Sequence, residues 1–227
     1  MKRLIILLIL FFAGLCFAGS QQTSSTLASA IITNARYYLN EDSGDANEFF
    51  DDTELLRWVN DGMKDLAAKA HCTEATESVD LISDTIEYSL STAYITVKAV
   101  VYVDSVGSKG LIEGNVRSVG EPDSEEPAYW YEYAGKIGIY PALAARTAET
   151  VTVYLVTRPS DIASSGAVTT PAVYDTALTF YVVAQGFLKD RRFGSYAQIM
   201  ALYQAELDRY RGEFNELIRE QAEEPVR

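Results

Sequence analysis

Phe50-Asp51-Asp52-Thr53-Glu54-Leu55-Leu56-Arg57-Trp58-Val59-Asn60-Asp61-Gly62 is the stretch whose reading decides the fold. Asp51 can cap a helix, Glu54 stands three residues on to close a capping box, and Phe50 is placed to staple onto Leu55. Leu55, Val59, Met63, Leu66 and Ala70 recur at helical spacing, so a helix is expected over residues 51–71. Upstream, Leu27, Ile31, Ala35 and Tyr38 repeat the same period and predict a helix over 26–40. The turn-forming run Asn40-Glu41-Asp42-Ser43-Gly44-Asp45 separates the two.

Downstream the period changes to two. Ile86, Tyr88 and Leu90 alternate, and Tyr94 to Val103 and Val151 to Val156 are β-branched and aromatic. Tyr129-Trp130-Tyr131-Glu132-Tyr133, the two-residue turn Ala134-Gly135, and Lys136-Ile137-Gly138-Ile139-Tyr140 read as a hairpin. The acidic stretch from Gly120 to Pro127 reads as an exposed loop.

Helical spacing returns after a Ser/Gly/Thr-rich connector over 160–170. Thr170 can cap and Pro171 can take the first position of a helix over 171–192 that buries Tyr174, Leu178, Tyr181 and Leu188. Gly194 is expected to end it, with Lys189, Arg191 and Arg192 in the last turn. Ser195 and Gln198 form a second capping box for a helix over 195–221. Its apolar residues Tyr196, Met200, Tyr203, Leu207, Tyr210, Phe214 and Leu217 alternate steps of four and three, the spacing of one helix lying along another. Folding back on the preceding helix and pairing with another copy both fit that seam, and the first is favoured.

The expected class is therefore α+β: a four-helix bundle-like part carrying an antiparallel β-rich insert at about 79–160. Residues 1–18 form a signal-like segment, 19–25 a flexible entry, 26–78 an N-terminal helical part, and 161–227 the C-terminal helical part. The signal reading rests on Lys2-Arg3 before the apolar run Leu4 to Phe12. That run is short of the ~20 residues a membrane-crossing helix needs. Its removal would leave Cys72 alone, with no disulfide possible within the chain.

The chain has 227 residues and a formal net charge of −13, which disfavours nucleic-acid binding. The one histidine, His71, adjoins Cys72, but neighbouring helical side chains diverge, so a cap outweighs a catalytic dyad. Zinc lacks its ligands, and no phosphate loop or G-x-S-x-G occurs. Asn40 to Glu48 offers oxygen ligands out of EF-hand order and reads as a solvated turn. Catalytic, cofactor and metal residues are expected to be absent. Tyr129, Trp130, Tyr131, Tyr133, Tyr203, Tyr210 and Phe214 are the candidate subunit contacts, since such side chains give large contact area at low entropic cost.

The 50–62 stretch resembles the F-x-D-x-E-L-x-x-W-I-N opening helix of tailed-phage head-to-tail adaptor (connector) proteins. The strand with Tyr88-Ser89-Leu90, the hairpin Gly135 to Pro141, the strand ending in Arg158-Pro159 and two closing helices follow in the order of that family. The likeness covers about residues 26–221. It implies a homo-oligomeric ring, typically of twelve, contacting portal and tail proteins, with DNA passing through unbound and the virion head-tail junction as location. The signal-like segment departs from that pattern. A misassigned start, an unprocessed signal, or a prophage gene recruited for export would each explain it. The rival reading is an exported periplasmic or surface module that binds through the aromatic hairpin.

Overall fold

The computed structural model describes residues 24–41, 49–114, 126–142 and 149–223, with side chains as far as Tyr210. The signal-like segment, most of the 40–48 turn and of the 120–127 loop, and the side chains of Phe214 and Leu217 lie outside that set.

Helix α1 spans Ala28–Leu39 and stops at Asn40, which adopts the left-handed conformation (φ 55°) that asparagine tolerates. Helix α2 spans Asp52–Ala70, and the Asp51 carboxylate accepts from the Thr53 amide at 3.0 Å. The expected capping box is not completed, because Glu54 turns aside to pair with Lys189. Phe50 and Leu55 lie in the same buried cluster, and the Phe50 ring also meets Trp58 edge-on at 6.1 Å. His71 ends the helix in the left-handed region (φ 52°).

The strands begin earlier than expected, with β1 at Glu74–Asp80. Its side chains alternate between exposed and half-buried, but the inward set is Ala75, Glu77 and Val79, so polarity hides the period. The others are β2 Glu87–Ser89, β3 Tyr94–Val103, β4 Ser108–Gly110, β5 Ile112–Glu113, β6 Tyr129–Tyr133, β7 Lys136–Tyr140 and β8 Thr150–Thr157. They form two four-stranded sheets, ordered β1-β8-β3-β4 and β2-β7-β6-β5. The antiparallel expectation needs one correction: β5 pairs with β6 in parallel. The hairpin turn is as read, with Ala134 (φ 51°) and Gly135 (φ 74°) both left-handed, as a tight two-residue connection requires.

A 3₁₀ turn, Ala172–Tyr174, leads into α3, Asp175–Lys189. Thr170 does not cap; its hydroxyl is buried without a partner. The α3–α4 junction also differs. Arg191, not Gly194, takes the left-handed conformation (φ 59°), and α4 runs Phe193–Glu223, so Gly194 and Ser195 are already helical. The amide of Tyr196 donates to the Arg192 carbonyl at 2.9 Å, closing the first turn before Ser195 can act as a cap.

The helices alternate in direction and enclose one core, with Ile31, Leu55, Met63, Leu66, Leu178, Val182, Tyr203 and Leu207 essentially inaccessible. The α4 seam, as far as Tyr210, packs within the chain. Ser24, expected in a flexible entry, is buried and fastened instead: its amide donates to the Thr170 carbonyl and its hydroxyl to Asp175. A second core, centred on Val100, Tyr102, Trp130, Ile137, Ile139, Val153 and Leu155, lies between the sheets. The chain leaves the bundle at Thr73 and returns at Thr157. There the Thr157 amide donates to the Thr73 carbonyl at 2.7 Å, and the Thr73 hydroxyl to the Thr157 carbonyl at 2.6 Å.

Candidate assembly surfaces

The residues that carry the family resemblance are occupied inside the chain. Leu55, Trp58 and Val59 are buried in the bundle. Asp52 accepts from the Arg36 guanidinium at 2.7 Å. Asn60 grips the connector, its carboxamide accepting from the Ile162 amide at 2.9 Å and donating to the Ile162 carbonyl at 3.2 Å. At Gly62 a methyl group would fall 2.6 Å from Leu178 Cδ1, so glycine lets α2 approach α3. The stretch is a fastening, and its chemistry is structural.

Arg36 escaped the sequence reading. It is 4% exposed and donates to Glu41 at 3.0 Å, to Asp52, and to the Phe50 carbonyl at 2.8 Å. The signal was available: Arg36 is the only charge in α1 and lies one turn after buried Ile32.

The hairpin and seam aromatics fall into distinct environments. Trp130 is 3% exposed and Tyr203 fully enclosed, so both serve the chain's own cores; as candidate contacts they are corrected. The Tyr203 hydroxyl donates to Asp65 at 2.5 Å, and its ring meets Tyr181 edge-on. Tyr131 covers Gly138 across the hairpin, where any Cβ would strike its ring. Tyr210 is half-buried against Tyr174, with centroids 5.3 Å apart, and Tyr129 is half-buried. Tyr133 is 62% exposed and remains accessible. Along β6 only the Trp130 ring enters a core, while Tyr129 and Tyr131 are half-buried and Tyr133 is exposed.

His71 is exposed at its helix end, while Cys72 is buried, and burial pushes its thiol up to about 12. Such a thiol stays protonated and is a poor nucleophile. Among the described residues no group of three His, Cys, Asp or Glu side chains is placed to hold a metal, and no helix is long and apolar enough to cross a membrane.

The outer face shared by α1 and α3 is different. Tyr37 is 82% exposed and Tyr38 52%, and Tyr38 contacts both Tyr37 and Phe180 edge-on. With Asn34, Thr176 and Thr179 these rings border a cleft of about 240 Å³. None of the lining residues is charged. Aromatic enrichment with depleted charge is the composition of protein-protein interface cores. Sequence periodicity had assigned Tyr38 to the buried stripe.

The model of the SU10 adaptor protein family matches residues 26–227, nearly the whole chain. The chain belongs to this family. As an SU10 adaptor protein it is a structural adaptor of the phage head-to-tail type, in agreement with the succession of motifs from Phe50 to the closing helices. No curated protein matches it. Among solved structures it is similar to a chain in the neck of an empty GTA particle computed with C6 symmetry. The identity is 12%, covering 71% of this chain and 81% of that one, with a TM-score of 0.30.

Proposed function

We propose that this SU10 adaptor protein is the subunit of a ring at the head-tail junction of a tailed phage or prophage, seated beneath the portal and extending the DNA channel. The family match over residues 26–227 is the observation that carries the reading. The geometry agrees with it. The helices and the sheets each enclose a core of their own, and the motif residues are spent on holding helices together, leaving contact rather than turnover as the task. A chain with net charge −13 also suits a conduit wall, since phosphate is repelled and DNA passes without being held. The ring is taken to have about twelve copies, with portal and tail proteins as neighbours.

The test is assembly of the purified full chain, alone and with portal protein, by native mass spectrometry and negative-stain microscopy. Closed rings that stack coaxially on the portal are expected. A chain that remains monomeric in both conditions overturns the proposal. Intact mass from the native host reads the fate of residues 1–18: retention fits a virion part, and loss fits export.

A further inference from the structure

We propose that the paired sheets tilt as one body on the helix bundle, about a hinge made by two adjacent chain links: Cys72-Thr73 on the way out and Pro159-Ser160 on the way back. The inference stands apart from the ring-forming reading, because it concerns motion within a single chain.

Separate packing supplies the first argument. Side chains of the bundle core come from residues 28–72 and 162–210, and those of the sheet core from 79–155, so no residue serves both. Among the described residues helices pack on helices and strands on strands, and no helix packs along a strand. Val156, at the end of β8, is fully enclosed yet belongs to neither core. Bodies of one chain move relative to one another by default unless a large apolar interface holds them.

Hydrogen bonds locate the bend. Thr73 goes with the sheets: its carbonyl accepts from the Thr157 amide at 2.7 Å and the Thr157 hydroxyl at 3.2 Å, and its own hydroxyl donates to the Thr157 carbonyl at 2.6 Å. Its neighbour Cys72 is 4% exposed and lies in the bundle core. The chain therefore changes body between these two residues, just after His71 has closed α2 with φ 52°. On the return, the Arg158 amide donates to the Ala93 carbonyl at 3.3 Å and so stays with the sheets. Asp161 pairs with Lys64 at 2.5 Å, and Ile162 is held by Asn60, which fastens both to α2. Only Pro159 and Ser160 lie between. Because Thr73 and Thr157 are paired, the two links sit close together and define one short axis. Hinges of this kind are a few residues at element ends that absorb the change while the bodies on either side keep their packing. A tilt on the μs–ms scale of domain motions lets one neighbour hold the helices while another displaces the sheets, with neither core disturbed.

Spin-label pairs on the full-length chain test the hinge by double electron-electron resonance, with labelled chain diluted into unlabelled so that only distances within a chain are read. Cys16→Ser leaves Cys72 as the only native thiol, and burial keeps it unlabelled. Cysteines for labelling replace exposed residues: Tyr37 and Leu202 within the bundle, Thr76 and Tyr133 within the sheets, and Tyr37 and Tyr133 across the joint. The distance distribution across the joint is expected to be roughly twice as wide as either internal one. Val156→Ala should widen it further and leave the internal distributions unchanged. A distribution across the joint as narrow as the internal ones overturns the proposal. Equal width within the sheets overturns it too, since the sheets would not then move as one body.

Discussion

Asn60 on α2 and Ile162 in the connector exchange two hydrogen bonds, so one carboxamide satisfies both backbone polar groups of a residue that has no strand or helix of its own. The pair spans 102 positions in sequence and fixes the segment that returns from the β sheets to the bundle.

Replacing Asn60 should therefore be costly for a residue outside any catalytic site. Asn60→Ala leaves the Ile162 amide unsatisfied and should cost about 2 kcal/mol. Asn60→Asp should be no better, because a carboxylate would face the Ile162 carbonyl. Urea midpoints at unchanged m-value measure the effect. A midpoint equal to wild type would remove the clamp from the account.

Arg36 and Asp52 should respond unequally although they touch. Arg36 is buried, and its loss leaves Glu41, whose side chain is only 16% exposed, with the Phe49 and Phe50 amides but no counter-charge; Arg36→Ala should cost about 3 kcal/mol. Asp52 is 71% exposed, and Asp52→Asn should cost less than about 1 kcal/mol. Chemical denaturation of the two variants in parallel gives the comparison.

Leu207 is completely enclosed. Leu207→Ala should cost about 2–5 kcal/mol by leaving a cavity, and Leu207→Asp should prevent folding by burying an unpaired charge. Far-UV circular dichroism and solubility report the outcome. A well-folded Leu207→Asp that fails only to assemble would move this part of the seam to a subunit interface.

Alkaline pH should weaken the fold through Cys72. Its folded value, near 12, lies above the unfolded one, so the folded chain holds its proton where the unfolded chain releases it. That contribution is complete below the unfolded value near 9 and is lost as pH rises towards 12. Cys72→Ser should flatten the loss of melting temperature across this window. At pH 8 the native thiol should resist alkylation and react only after unfolding.

The sequence made the class of the fold legible because two periods, one helical and one alternating, occupy separate stretches. It was less informative where neighbours decide. The helix junction is set by Arg191 adopting the left-handed conformation and not by Gly194 three residues on, and local composition favours the opposite. β1 was shortened because Glu77 faces inward while its carboxylate is engaged by the amides of Ser91 and Thr92. The hairpin aromatics illustrate the same limit. Alternation separates two faces, but cannot say that Trp130 enters a core or that Tyr131 fills the space above Gly138. The charge-free face was readable from ASAIITNARYYL, yet its meaning appears only when α3 lies beside it.

Thr73 and Thr157 bring the outgoing and incoming backbones within one hydrogen bond of each other. An excursion whose two ends coincide can be lengthened, trimmed or exchanged as a cassette without redrawing the helices beneath it.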